Sequence, residues 1–399
     1  MISAVLRMGL IIIMYRRDQF TGSNNIAKPE RLPEGAVVDA VNMDFTVGGK
    51  AELRTGFSKV RDCSNARAIF DMGSNGLALV DGEDLIRVDQ DGSETFIAKL
   101  SAGHVSATLH NNLLYLNTAI ESIVVGETVE HWSVEPPAFD VSLTSGSMVP
   151  GLYKVAVTKL ANGKESGCVP AVISVGEGQA ISVTTYSAGD LRLYSSVSNG
   201  QTLYHQGSAT IQNKISVPVD DTARLETAML SSLPFCNMLT SHNAMIVGSS
   251  GRFLYHTRPM RPHLHNPESD YIQYAEDITI IAAVAGGIYV CADKTYFVSG
   301  LGSQEVNQRL VHEFGAITGT AVKLPSGAVT WFSKYGQVIA GPDGAVELVN
   351  RASYSPDTAK DGAAGLLEHN GNQMIVTTMR GEPAGSSLRS TDHWDIEVI

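Results

Sequence analysis

The densest run of reactive side chains is His256-Thr-Arg-Pro-Met-Arg-Pro-His-Leu-His-Asn-Pro, residues 256–267. His263 and His265 stand one residue apart, so on an extended chain both imidazoles fall on one side and could share a metal ion. The sequence nominates no third ligand, and no metal or other cofactor is expected. Arg258 and Arg261 carry planar guanidinium groups suited to gripping carboxylates in a bidentate pair. Three prolines stiffen the loop. Two readings stay open: a subunit-contact loop acting through Arg258, Arg261, His263 and His265, or a plain surface loop.

Other chemistry is weaker. The motifs GxSxG, HExxH and GxxxxGK[ST] do not occur. Asp44, Asp71, Asp277 and Glu368 could supply the two carboxylates of a glycosidase, but no spacing selects a pair, and the preferred reading is acids that cap β-turns and face solvent. Asp81-Gly-Glu-Asp and Asp89-Gln-Asp-Gly hold calcium-type acids without the rest of an EF-hand loop, and they read as hairpin turns. Cys63, Cys168, Cys236 and Cys291 share no CxxC spacing and read as reduced structural thiols, with no disulfide or zinc site. Trp132, Trp331 and Trp394 lie on or beside strands and read as packing residues. The chain is expected not to be an enzyme.

The elements that must hold these residues are strands. Between Ser232 and Gly300, short apolar runs such as Met245-Ile-Val, Phe253-Leu-Tyr and Ile288-Tyr-Val alternate with Gly, Asn, Ser and Asp turns. A His-Asn turn followed by an apolar strand occurs three times, at His110-Asn111, His242-Asn243 and His369-Asn370, which is a repeat signal. Strand sets over 65–99, 104–135, 236–276, 278–313, 316–353 and 362–399 give six blade-sized units of an all-β β-propeller. The hairpin Val37 to Arg54, turning at Gly48-Gly49, either completes a seventh blade or joins the C-terminal strands, and seven is favoured over six.

Pro136-Pro137 breaks the rhythm. Residues 139–217 then read as an inserted β-sandwich, with Tyr153, Val155 and Val157 alternating along one face and Asn162-Gly163 at a hairpin turn. The expected organisation is thus an N-terminal extension over 1–23 that need not be ordered, propeller over 24–135, sandwich over 139–217, a linker over 218–235 that is short helical or extended at Leu225 to Leu230, and propeller over 236–399.

With 43% hydrophobic and 18% charged residues the chain is expected to fold rather than remain disordered. A formal charge of -12 speaks against an outer surface that wraps nucleic acid, though not against DNA passing through a channel. The apolar run Leu10 to Met14 is too short to span a bilayer, which needs about 20 residues, and Arg16-Arg17 follow it where a signal peptide would place its charges first. No membrane insertion is expected.

Several phrases, in order along the chain, resemble tail proteins of short-tailed (podovirus-type) bacteriophages. They are Phe20-Thr-Gly with Asn24-Asn25, Pro33-Glu-Gly-Ala-Val-Val-Asp-Ala-Val-Asn-Met-Asp, and Gly49-Lys-Ala-Glu-Leu-Arg-Thr-Gly-Phe. Gly151-Leu-Tyr-Lys-Val-Ala-Val-Thr, Gly163-Lys-Glu-Ser, Leu193-Tyr-Ser-Ser and Asn199-Gly200 resemble the fibronectin-like (Ig-like) insertion of that family, and Leu254-Tyr-His-Thr-Arg-Pro with Gly287-Ile-Tyr-Val resembles the blade after it. The resemblance implies a structural virion component, a β-propeller nozzle or tail hub. In the family, several copies, commonly six, form a homo-oligomeric ring below the portal and adaptor, and DNA is ejected through the lumen. It carries over no catalytic residue. The implied location is the virion tail, with assembly in the host cytoplasm. Nozzle proteins of this type can be longer, with tip domains, so a smaller tail accessory ring stays open. The alternative reading is a propeller that binds or cleaves glycan at the host cell surface.

Overall fold

The computed structural model describes residues 19–381 except 47, 55, 57, 58, 60, 357, 358, 370 and 371. Among them the architecture is all-β and largely antiparallel, with two short 3-10 turns. Trp394, Asn370 and the last strand expected near the C-terminus lie outside the described residues.

Five sheets have the same plan, four antiparallel strands in sequence order. The first comprises Ala66–Asp71, Leu77–Asp81, Asp84–Val88 and Glu94–Lys99, and the second Ser106–His110, Leu113–Asn117, Ser122–Val125 and Val129–His131. The third comprises Met238–His242, Met245–Ser250, Phe253–His256 and Tyr271–Gln273. Ile280–Val284, Gly287–Cys291, Thr295–Ser299 and Asn307–His312 form the fourth, and Val322–Lys323, Val329–Ser333, Gly336–Ala340 and Val346–Leu348 the fifth. Each run of apolar residues is short because a tight turn follows it. His110 pairs Leu113 and His242 pairs Met245 across two-residue loops. In these loops Asn111 (φ 51), Asn112 (φ 61), Asn243 (φ 45) and Ala244 (φ 59) are all left-handed. Both central residues of a type I′ turn need that conformation, and asparagine tolerates it better than most. His369 pairs Asn372 in the same register, so the third His-Asn signature also ends a strand.

Consecutive sheets stack face to face. Ala78, Val80 and Leu85 of the first meet Leu114, Leu116 and Val125 of the second. Tyr115, Val124 and Trp132 meet Ile246 of the third. Met245, Val247 and Leu254 meet Ile288, Val290 and Val298 of the fourth. Tyr289, Cys291 and Phe297 meet Val329, Trp331 and Val338 of the fifth. Strand alternation sends successive side chains to opposite faces, so each of the three middle sheets contributes to two cores.

Residues 139–215 form a unit with its own core. Phe139–Ser145, Gln179–Thr185 and Gln212–Ile215 make one sheet. Gly151–Ala161 pairs Lys164–Glu165, Ala171–Val175 and Asp190–Ser195 in the other, and Tyr204–Ser208 flanks Asp190–Ser195. Tyr153, Val155 and Val157 from the second sheet share the buried core with Ile181, Val183 and Ile215 from the first. The segment after it, expected to be helical or extended, forms no helix. It is held by isolated bridges between Tyr204 and Arg224 and between Cys168 and Ala228.

Two expectations change near the N-terminus. Val37 to Phe45 is not one strand. Ala36–Val37 pairs in parallel with Gly22–Ser23, Asn42 turns the chain with φ 52, and only Met43–Phe45 pairs Ala51–Leu53. Residues 20–23 of the stretch expected to be loose are hydrogen-bonded: Phe20 N–H donates to Gly49 O (2.7 Å) and Thr21 N–H to Gly35 O (2.9 Å). The chain then reaches across the sequence. Asn25 Nδ2 donates to Ser355 O (3.0 Å) while Asn25 Oδ1 accepts from Ser355 N–H (2.9 Å), and Asn25 N–H donates to Ser353 O (3.0 Å). The last described element is a hairpin, Asp361–His369 with Asn372–Arg380, which joins neither of the N-terminal strand pairs among the described residues. Its first strand starts beside the fifth sheet, where Gly362 N–H donates to Thr318 O (2.8 Å). Gly319 permits this approach, since a Cβ there would lie 2.0 Å from Gly362 O.

Candidate functional site

The first strands of the first four sheets, the first two strands of the fifth and Leu114 on the second strand of the second sheet line one cavity of about 490 Å³. Phe70 and Asp71 enter it from the first sheet, Thr108 from the second, Thr240 and Ser241 from the third, Ala282 from the fourth, and Lys323 from the fifth. Small and hydroxyl side chains recur because these strands approach one another closely, as the inner edges of stacked sheets must. Asp71 and Lys323 are the charged groups of this lining. Asp71 Oδ1 accepts the Gly73 N–H (2.7 Å), so the carboxylate caps the turn that follows its strand. An acid–base pair would need a second titratable group within hydrogen-bond reach; the partner that Asp71 holds is the Gly73 backbone.

The repeated histidines stitch this centre together. His110 Nδ1 lies 2.7 Å from Ser241 Oγ, joining the second sheet to the third, and Asn111 Nδ2 lies 3.2 Å from the other ring nitrogen. His242 ends the equivalent strand one sheet later and interacts with the Val284 backbone of the fourth sheet. Burial pushes both imidazoles below their ordinary range, because the charged form would lose its hydration.

The loop 256–267 folds back onto its own chain. Arg258 Nε pairs with Asp270 (2.9 Å), whose carboxylate is buried and also accepts the Asn266 N–H (2.8 Å) and the Ser269 hydroxyl (2.9 Å). Arg261 pairs with Glu226 in the segment leaving the inserted unit. His263 Nε2 contacts Glu165 O of the inserted unit (3.2 Å), and His265 Nδ1 lies 3.2 Å from Ser231 O. Their imidazoles therefore serve different partners. Burial holds both below the ordinary range. The four side chains fix the loop between the third sheet and the inserted unit, and Met260 at its tip is 79% exposed. Among the described residues no group of three or more His, Cys, Asp and Glu side chains stands at metal-ligand spacing.

The joint with the inserted unit is built from both directions. Lys164 Nζ pairs with Glu130 (3.4 Å) and donates to His131 O (3.3 Å) on the second sheet. Trp132, where the chain leaves that sheet, is buried against Tyr115 and donates its indole N–H to Pro262 O (2.7 Å). Cys168, Tyr194 and Leu203 of the unit pack against Leu225 and Ala228 of the returning segment. Glu165 accepts from Tyr194 OH (2.8 Å) and Thr158 Oγ1 (2.7 Å), and burial with this carboxylate pushes the Tyr194 phenol up to about 12. A cleft of about 570 Å³ lies at the joint, lined by His131, Glu135, Lys159 and Lys164 among others.

The four acids singled out in the sequence are not assembled into a site. Asp44 pairs with Arg54 (2.9 Å) in the N-terminal hairpin, Asp71 caps its turn, Asp277 lies in the connection between the third and fourth sheets, and Glu368 is on the last hairpin. Asp81 caps the Asn65 N–H (2.7 Å) and Asp91 the Ser93 N–H (2.9 Å), both in turns. Cys63 is exposed; Cys168, Cys236 and Cys291 are buried and unpaired. Trp331 is buried in the fourth core. What the sequence did not disclose is the set of partners, Asp270, Glu226, Glu165 and Ser231, since only the fold brings Glu165 to His263.

No family model matches the chain, and no curated protein matches it. Among solved structures, the WD40 β-propeller domain of Doa1 is similar over 79% of this chain and 90% of its own, at 10% identity and a TM-score of 0.29. BBS1N in complex with ARL6DN is similar over 80% of this chain and 90% of its own, at 11% identity and a TM-score of 0.30. Apo AztD from Citrobacter koseri gives 79% and 90% at 11% identity and a TM-score of 0.27. At these scores the likeness is distant.

Proposed function

We propose that this chain is a structural component of a short-tailed bacteriophage tail, a nozzle or hub subunit. Several copies, six in the related family, ring the path of DNA below the portal and adaptor. In this reading the five stacked sheets are blades of a closed β-propeller of six or seven blades, completed from the terminal hairpins. The unit at 139–215 is its fibronectin-like or Ig-like sandwich.

The supporting observation is where the tail-protein phrases fall. Asn24-Asn25 makes the clasp to residues 352–355. Gly163-Lys-Glu-Ser makes the contacts of the inserted unit with the second sheet and the 256–267 loop. His256-Thr-Arg-Pro opens that loop. A tail ring must transmit load between units, so phrases of the resemblance that stand at joints fit a protein whose role is geometry and assembly. The net charge of -12 suits a lumen that lets anionic DNA slide. The subunits would assemble in the host cytoplasm and function in the virion.

Mass photometry and negative-stain microscopy of the purified chain, alone and with its portal–adaptor complex, test this. A closed ring, or one that forms only on the adaptor, is the expected result. A monomer that ignores the adaptor, or a ring whose lumen retains duplex DNA at physiological salt, refutes it.

A further inference from the structure

Each of the five four-stranded sheets brings its first strand to the cavity of about 490 Å³, and that strand is the edge of its sheet. Among the described residues no bridge joins one first strand to the next. In an antiparallel strand, alternate residues aim their N–H and C=O groups at opposite neighbours, so a strand with one neighbour leaves half of them unpaired. Those free groups border the cavity here. Among the described residues the backbones of Thr108, Thr240 and Ala282 make no hydrogen bond outside their own sheets. Polar backbone in such a place is met by water or by a ligand.

Two charges of opposite sign stand on the same lining and do not pair with each other. Asp71 Oδ1 accepts the Gly73 N–H (2.7 Å), and Oδ2 has no partner among the described residues. Lys323 makes neither an ion pair nor a side-chain hydrogen bond among them. The hydroxyls of Thr108 and Thr240 are likewise uncommitted. Elsewhere cations and carboxylates at the joints are matched, as Arg258 is with Asp270 and Lys164 with Glu130. Ala282, Val322 and Val329 make part of the wall aliphatic. The volume lies within the range of about 300–1,000 Å³ usual for small-molecule sites.

We propose that this cavity binds a small aliphatic zwitterion, a free α-amino acid or a short peptide, with its ammonium at Asp71 and its carboxylate at Lys323. The two charges set the direction of the ligand. Threonine hydroxyls and free strand edges meet its other polar groups, and the aliphatic wall receives its side chain. A ligand with a single charge would leave Asp71 or Lys323 without a counter-charge in a site it had dried. Every group invoked belongs to one chain, so the proposal goes beyond the tail reading and is decided separately from it.

Isothermal titration calorimetry of the full chain with L-valine and with trialanine tests this. At least one of them should bind with a Kd below about 1 mM. Tighter binding of L-valine identifies a free amino acid as the ligand, and tighter binding of trialanine a peptide. The N-acetylated, C-amidated form of each probe keeps the side chains but loses both charges, and should bind about tenfold more weakly or worse. Asp71→Asn keeps an oxygen for the Gly73 N–H, and Lys323→Gln alters an exposed side chain. Each should weaken the charged probe about tenfold while leaving its blocked form and the urea midpoint unchanged. No heat of binding from either charged probe up to about 10 mM overturns the proposal and leaves the cavity to water. Blocked forms that bind as tightly as the zwitterions, or variants that bind them as the parent does, overturn it too.

Discussion

Replacing Trp132 probes the joint on which the ring reading depends. The side chain is 3% exposed, lies 5.3 Å edge-on from Tyr115, and shares a core with Val124 and Ile246. Its indole N–H donates to Pro262 O at 2.7 Å, linking the exit of the second sheet to the loop that holds the inserted unit. Trp132→Ala removes the packing and the bond together, which costs about 3–5 kcal/mol for a buried Trp. Trp132→Phe keeps most of the apolar area and loses the hydrogen bond, leaving the Pro262 carbonyl unpaired, for about 1–2 kcal/mol. Against a domain stability of about 5–15 kcal/mol, the alanine change is severe. Urea unfolding followed by far-UV circular dichroism gives both values, and brief thermolysin digestion reports whether the 218–235 segment opens. The Ala variant should lose midpoint and be cleaved faster in that segment, and the Phe variant should fall between it and the parent. An Ala variant that costs less than about 1 kcal/mol would refute the packing argument. A Phe variant as damaged as Ala would show that the hydrogen bond, not the packed surface, holds the joint.

Three further outcomes follow from the geometry. Ala244 occupies a left-handed conformation (φ 59) in the turn after His242; Ala244→Gly should raise stability by about 1 kcal/mol in urea titration, and a loss would show that the turn is not strained. His110, His242, His263 and His265 all have folded-state values lowered by burial. Above the unfolded value near 6.5 both states are neutral; as the pH falls below it the unfolded chain takes the protons first. Stability should therefore fall on acidification from about pH 7 to 5, at most by about 1.4 kcal/mol per pH unit for each histidine. His110→Gln should flatten that slope, and an unchanged slope would remove His110 from the account. Native labelling with a disulfide reagent should modify Cys63 promptly and the other cysteines only on unfolding, since burial pushes Cys168, Cys236 and Cys291 up to about 12 and excludes the reagent. More than one fast thiol would mean that these cores open.

The sequence by itself determined the local order of this protein. Period-two alternation, as in Tyr153, Val155 and Val157, and left-handed turn residues such as Asn111 and Asn243 depend on neighbours a few positions away, so strands and turns were legible. The break at Asn42 was missed because whether an asparagine turns the chain depends on what its flanking strands pair with, and Ala36–Val37 pairs with Gly22–Ser23. Only the tertiary structure decided what the loop at 256–267 does. Its Arg258, Arg261, His263 and His265 left both a subunit-contact loop and a plain surface loop open, and within the chain their partners are Asp270, Glu226, Glu165 and Ser231. The His-Asn repeat likewise announced a turn but not that His110 would reach Ser241 in the next sheet. A charged or imidazole side chain carries no mark of its partner. Burial and distance set that, and both belong to the packing of sheets that lie far apart in sequence.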